Sequence, residues 1–68
     1  MIHVDSEAIA DVEYRPRARR LLVRFTSGEL YAYEGVPGAL YEELLAAESK
    51  GRFFQAKVRG QYPYSRLS

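Results

Sequence analysis

Cysteine is absent from all 68 residues. That excludes a disulfide framework and every thiolate metal site, and it fits a reducing compartment. Histidine occurs once, at position 3. A metal centre would then need several carboxylates converging on one point, and the acids are not spaced to do so. No apolar run approaches the length of a membrane span. The opening Met1-Ile2-His3-Val4-Asp5 lacks the basic-then-apolar order of a signal peptide. The expectation is a soluble, cytoplasmic protein with no membrane partner. Internal repeats, linkers and low-complexity runs are missing too, so residues 1–68 should form one domain.

Other absences bear on catalysis. No glycine-rich phosphate loop follows a strand, and Ser27-Gly28, Gly35 and Gly38 read as turn glycines. His3, Asp5 and Ser6 are the residue types of a catalytic triad. They crowd one terminus, however, with nothing to fix an oxyanion site. A domain this small has little room for a ligand pocket of roughly 300 Å³ or more. Neither an enzyme nor a cofactor is expected.

Neither charge sign prevails overall, since the net charge is only +1. The charges are strongly segregated instead. Residues 1–14 carry acids alone, and residues 15–24 carry five arginines and no acid. Residues 25–48 carry five glutamates and no base, and residues 49–68 carry bases alone. Two outcomes are open: the basic blocks join into one cationic face, or each pairs with an acidic block across a strand or helix.

The most informative stretch is Arg20 to Glu34. Two runs of apolar, β-branched and aromatic residues flank Ser27-Gly28, where glycine can take the positive φ of a two-residue hairpin turn. That loop sets Phe25 opposite Leu30, Arg24 opposite Tyr31, Val23 opposite Ala32 and Leu22 opposite Tyr33. One face then carries Val23, Phe25, Leu30 and Ala32, and the other Leu22, Arg24, Tyr31 and Tyr33. Ile9 to Tyr14 alternates as a preceding strand, and the four-residue turn Arg15–Ala18 sets Val12 opposite Leu21. One bulge in either hairpin would swap the faces beyond it.

Residues 1–8 read as a lead-in. Val36-Pro37 begins a helix, with proline at its first position and Leu40, Leu44 and Ala47 on its apolar stripe. Gly51 should stop it. A second helix is expected over about Arg52 to Arg59, ended by Gly60, and the tail from Gln61 should be extended. The fold class is thus α+β: a three-stranded antiparallel β-meander with one face covered by two C-terminal helices.

Several of these residues together resemble the KTSC domain family. They are Val4…Ser6…Ile9, Tyr14, Leu21-x-Val23-x-Phe25, Ser27-Gly28-x-x-Tyr31-x-Tyr33, Val36-Pro37-x-x-x-Tyr41-x-x-Leu44-x-x-Ala47-x-Ser49-x-Gly51-x-Phe53-Phe54, then Val58-Arg59 and Tyr62. The match spans about residues 4 to 64. The family is named for a C-terminal extension of some lysyl-tRNA synthetases and also occurs as small stand-alone bacterial proteins. This chain departs from it at Asp5, Glu13 and Gln55, where serine, glycine and asparagine are frequent. The resemblance implies no established mechanism; its link to a tRNA synthetase points toward RNA.

The residues themselves suggest the same ligand. Tyr31 and Tyr33 on an open sheet face could stack unpaired bases, with Arg24 and Arg20 on phosphate. Arg17, Arg19 and Arg59 would assist, and Lys57 and Arg66 could extend a phosphate track. The structural alternative is that both rings are half-buried in a cluster with Tyr62 and Tyr64. The expected partner is RNA, single-stranded or tRNA. The competing reading is a module that binds a protein or forms a homodimer, through the same face or through the first or third strand as a free edge.

Overall fold

The computed structural model describes residues 1–4 and 6–68. Asp5, considered above for a triad, lies outside the described residues. Among those described, five strands form one antiparallel sheet in sequential order. They are β1 (Ile2–His3), β2 (Ile9–Arg15), β3 (Arg20–Phe25), β4 (Leu30–Tyr33) and β5 (Tyr64–Arg66). The helices α1 (Gly38–Ala46) and α2 (Lys50–Lys57) lie between β4 and β5 in the chain. The expected meander is therefore the centre of a wider sheet, and the helices are an insertion rather than its C-terminal end.

The two added strands change the edges. The lead-in pairs with β2, Ile2 opposite Val12, and the tail pairs with β4, Tyr33 opposite Tyr64. The strands expected to offer a free edge are both internal. Ser6 makes the bend between β1 and β2, its hydroxyl accepting from the amides of Ala8 and Ile9 at 3.4 Å each.

The β3–β4 hairpin differs from expectation by one residue, and that residue decides the faces. Phe25 is closed onto Glu29, its amide donating to the Glu29 carbonyl at 2.9 Å, while the Gly28 amide donates to the Phe25 carbonyl at 2.8 Å. The loop is thus Thr26-Ser27-Gly28, with Gly28 at φ 99°. A three-residue loop with a left-handed third residue is a common hairpin closure. Arg24 then faces Leu30, Val23 faces Tyr31 and Leu21 faces Tyr33. Tyr31 and Tyr33 therefore share a face with Leu21, Val23 and Phe25, the side opposite to the one expected.

The β2–β3 turn also shifts, to Pro16–Arg19, with Arg15 opposite Arg20 and Val12 opposite Val23. This offset is two residues, so Val12 keeps its expected face. The turn closes with Arg19 at φ 52°, an uncommon value for a residue with a side chain.

Pro37 stands at the N-cap of α1, one position before the helix. The helix ends at Ala46, short of Gly51, because Ser49 starts a new one: its hydroxyl accepts from the Arg52 amide at 3.3 Å and caps α2. Gly51 lies inside α2, while Gly60, at φ 79°, follows it as expected. Both helices cover the Leu21/Val23 side. Val12, Leu21, Val23, Val36 and Val58 are fully enclosed there, with Ile9, Leu44 and Phe54 at 2% exposure or less.

Candidate nucleic-acid interface

Alternation along β4 puts Tyr31 and Tyr33 on the helix-bearing face, and the β4–β5 register adds Tyr64 and Arg66 to it. The three tyrosines form one cluster. Ring centres are 6.3 Å apart for Tyr31–Tyr33, 5.6 Å for Tyr31–Tyr64 and 5.7 Å for Tyr33–Tyr64. Phe54 of α2 meets Tyr33 edge-on at 5.2 Å, and Phe25 meets Tyr31 edge-on at 5.6 Å. Such geometries add to the apolar burial itself. Exposure is graded across the cluster: Tyr33 is buried at 4%, Tyr31 is half-buried, and Tyr64 is 63% exposed.

Phe25, Tyr31, Tyr33 and Phe54 line an open groove of about 360 Å³ between α2 and the β3–β4 hairpin, and Tyr64 packs on Tyr31 and Tyr33 outside that lining. A hollow of that size was not expected in so short a chain; its lining runs from Phe54 and Gln55 of α2 and Arg59 beyond it to Phe25, Thr26 and Ser27 of the hairpin. Arg59 and Gln55 stand on its helix side, and Ser27 and Glu29 on its hairpin side. The Arg59 guanidinium donates to the Gln55 carbonyl oxygen at 3.1 Å, and not to a glutamate of α1. Burial pushes the Tyr33 phenol above its ordinary value, Tyr31 adds to the rise, and the nearby Arg59 charge opposes it. Glu29 accepts from the Ser27 hydroxyl at 2.9 Å and lies 3.6 Å from the Arg66 guanidinium.

The arginines expected beside the tyrosines are elsewhere. Arg20 and Arg24 point from the other sheet face, because the shifted hairpin register separates them from Tyr31 and Tyr33. Arg20 pairs with Glu34 at 2.9 Å, and Arg24 lies 4.0 Å from Asp11 while donating to the Gly28 carbonyl at 3.2 Å. Arg15 pairs with Glu13 at 2.8 Å. On this face the first basic block meets the acidic blocks on either side of it, so charge pairing takes the place of a cationic sheet face. Arg17 and Arg19 sit exposed in the Pro16–Arg19 turn. Of the residues singled out from sequence, the structure brings together Tyr31, Tyr33 and Arg59. Tyr64, expected in a cluster with Tyr31 and Tyr33, and Arg66, expected in a phosphate track, join them. The structure adds Phe25 and Phe54, read in the sequence only as apolar positions, and Gln55, which carried no functional signal.

A second hollow of about 400 Å³ lies between Ser6–Ala8 and the start of α2. Its two serine hydroxyls are engaged with backbone amides, as described above.

The family model described as the KTSC domain matches residues 5–62. The chain belongs to the KTSC family. A crystal structure of a KTSC domain protein from Yersinia pestis superposes with a TM-score of 0.92 at 33% identity, covering 97% of this chain and 93% of that one. A small protein of Tsukamurella paurometabola is 42% identical over 59 residues, 87% of this chain and 88% of the relative. A lysine–tRNA ligase of Nostoc is 35% identical over 68 residues, which is all of this chain and 12% of the ligase. KTSC sequences thus occur both as small free-standing proteins and as a minor part of a much longer one.

Proposed function

We propose that this KTSC domain is a non-catalytic module that binds single-stranded RNA in the tyrosine groove. The observation that carries this reading is the graded cluster Tyr33–Tyr31–Tyr64, with Arg59 in the groove that Tyr31 and Tyr33 line and Arg66 opposite Tyr31 in the sheet. A buried ring anchors the set, a half-buried ring forms the wall, and the most exposed ring offers a free face to a base. Sequence-tolerant recognition of single strands uses this combination of stacking platform and guanidinium groups. The lysine–tRNA ligase relatives add circumstantial support, since the same domain accompanies an enzyme named for a tRNA substrate. In this reading Tyr64 and Tyr31 stack bases and Arg59 and Arg66 hold phosphates. Arg17 and Arg19 are outlying phosphate contacts. Arg20 and Arg24, on the opposite sheet face and paired with Glu34 and Asp11, take no part in this reading.

Fluorescence polarisation with a labelled, unstructured ribonucleotide of about eight bases tests it. Tyr64→Ala should weaken binding by about 1–3 kcal/mol, the usual loss when a stacking ring is removed. Two phosphate contacts on a single strand should give a log–log salt slope of roughly −1.4. Binding untouched by a Tyr31→Ala, Tyr64→Ala double change in a folded protein would overturn the reading.

Strand addition at β5 is the competing mode, because β5 ends the sheet. That edge is three residues long, is preceded by Pro63 and carries Arg66. Short length, proline and a basic side chain are the features that discourage pairing with another chain. A dimer insensitive to salt and to RNA in size-exclusion chromatography would favour that mode instead.

A further inference from the structure

We infer that residues 63–68 form a strap, which leaves β4 and returns to it while the rest of the domain stays folded, and that only the closed strap completes the binding face. The opening stands on the fold alone; its consequence for RNA rests on the RNA-binding reading.

The strap differs from the strands beside it in what holds it. Every side chain from Pro63 to Ser68 is exposed, and Tyr62 is the last residue packed against the core among those described. The strap is held by its main chain. The Glu34 amide donates to the Pro63 carbonyl at 2.9 Å, the Leu67 amide to the Leu30 carbonyl at 2.7 Å and the Leu30 amide to the Ser68 carbonyl at 3.1 Å. To these it adds the exposed Tyr64 ring against Tyr31 and Tyr33, and the Arg66–Glu29 pair at 3.6 Å, whose side chains are 60% and 37% exposed. A pair so exposed contributes little. Strands with exposed backbone bonds and little buried apolar surface open at a lower free energy than the whole molecule. The remainder keeps its own support. Strand β4 stays paired with β3, and the fully enclosed Val12, Leu21, Val23, Val36 and Val58 all lie outside the strap. Tyr62 marks the fixed end, so the hinge falls at Pro63.

Opening takes away two parts of the face. Tyr64 and Arg66 travel with the strap, while Tyr31, Tyr33 and Arg59 stay. A ligand that touches Tyr64 and Arg66 binds the closed form alone and raises its population, so binding and closure are coupled in both directions.

Hydrogen exchange followed residue by residue by NMR tests the opening. The amides of Leu30, Glu34 and Leu67 bridge β4 and the strap. They should be protected roughly a hundredfold less than the Val36 amide, which donates to the Arg19 carbonyl at 2.8 Å. Equal protection of all four, falling in parallel as denaturant is added, would overturn the opening. Ser65→Pro tests the coupling. Ser65 lies opposite Ala32, on the other sheet face from Tyr64 and Arg66, between the bonded positions Glu34–Pro63 and Leu30–Leu67. Alternation makes Ala32–Ser65 a bonded pair, and proline removes its donor without touching the aromatic cluster. The strap amides should lose protection in a domain that stays folded, and affinity for the labelled ribonucleotide should fall about tenfold. Unchanged affinity in such a variant would overturn the coupling, and a domain wholly unfolded by this one change would overturn the separate opening of the strap. Absence of RNA binding by the native protein would overturn the RNA reading and the coupling with it, while the exchange pattern still decides the opening.

Discussion

Tyr33 carries two jobs at once. Its ring fills the space between Phe54 and the other two tyrosines, and its hydroxyl shares that setting. Burial raises its phenol above the ordinary value, and burial does the same to Tyr41, which stacks on Tyr14 at 5.0 Å. The raised values imply a direction for stability. In the unfolded chain both phenols ionise near the usual tyrosine value of about 10. In the folded chain they hold their protons longer. Below the unfolded value the contribution is fully present. As pH rises the unfolded state sheds protons first, and the stability is lost through the folded values. Thermal denaturation followed across alkaline pH should show the melting temperature falling above about pH 10. Absorbance at the phenolate band should show late-titrating tyrosines that disappear in Tyr33→Phe and Tyr41→Phe.

At the scale of the element, the caps and turns set the outcome. Ser49 begins α2, and α2 supplies Phe54 to the core and Gln55 and Arg59 to the groove. Ser49→Ala removes the cap and should cost about 1 kcal/mol, read as a lower denaturation midpoint. The strands β2, β3 and β4 and both helices were legible in sequence, because alternation, Pro37 and Gly60 mark them. The hairpin register was not. Gly28 at positive φ suits a two-residue turn and the third position of a three-residue loop equally well. Nothing local distinguishes them, yet one residue moves Tyr31 and Tyr33 across the sheet. The break between α1 and α2 was expected, but at Gly51 rather than after Ala46, for a similar reason. Ala46, Ala47 and Glu48 are all acceptable in a helix, and Gly51 looked a better stop than Ser49 looked a start. Strand β5 had no pattern to read, being three residues long and exposed throughout. The candidate site followed the same division: its tyrosines, Arg59 and Arg66 were visible as residues, and the strand pairing that sets Tyr64 and Arg66 beside Tyr33 and Tyr31 was not, nor was the place of Gln55.

At the scale of the molecule, the sheet divides the chemistry between two sides. One carries charge pairs that neutralise each other; the other carries the hydrophobic core and, at its margin, an aromatic groove with guanidinium groups. Strand β5 is the outlier in connectivity, since residues 34 to 63 separate it from the strand it pairs with. Hairpins β2–β3 and β3–β4 close over short loops and should form early, whereas a pairing across both helices bears the larger loop-closure entropy and should come last. The chain has no tryptophan, so tyrosine dominates its near-ultraviolet optical signal. Tyr64 joins Tyr31 and Tyr33 only on that final docking. Stopped-flow circular dichroism in the aromatic band should therefore develop after the amide band, with the lag between the two timing the arrival of the last strand.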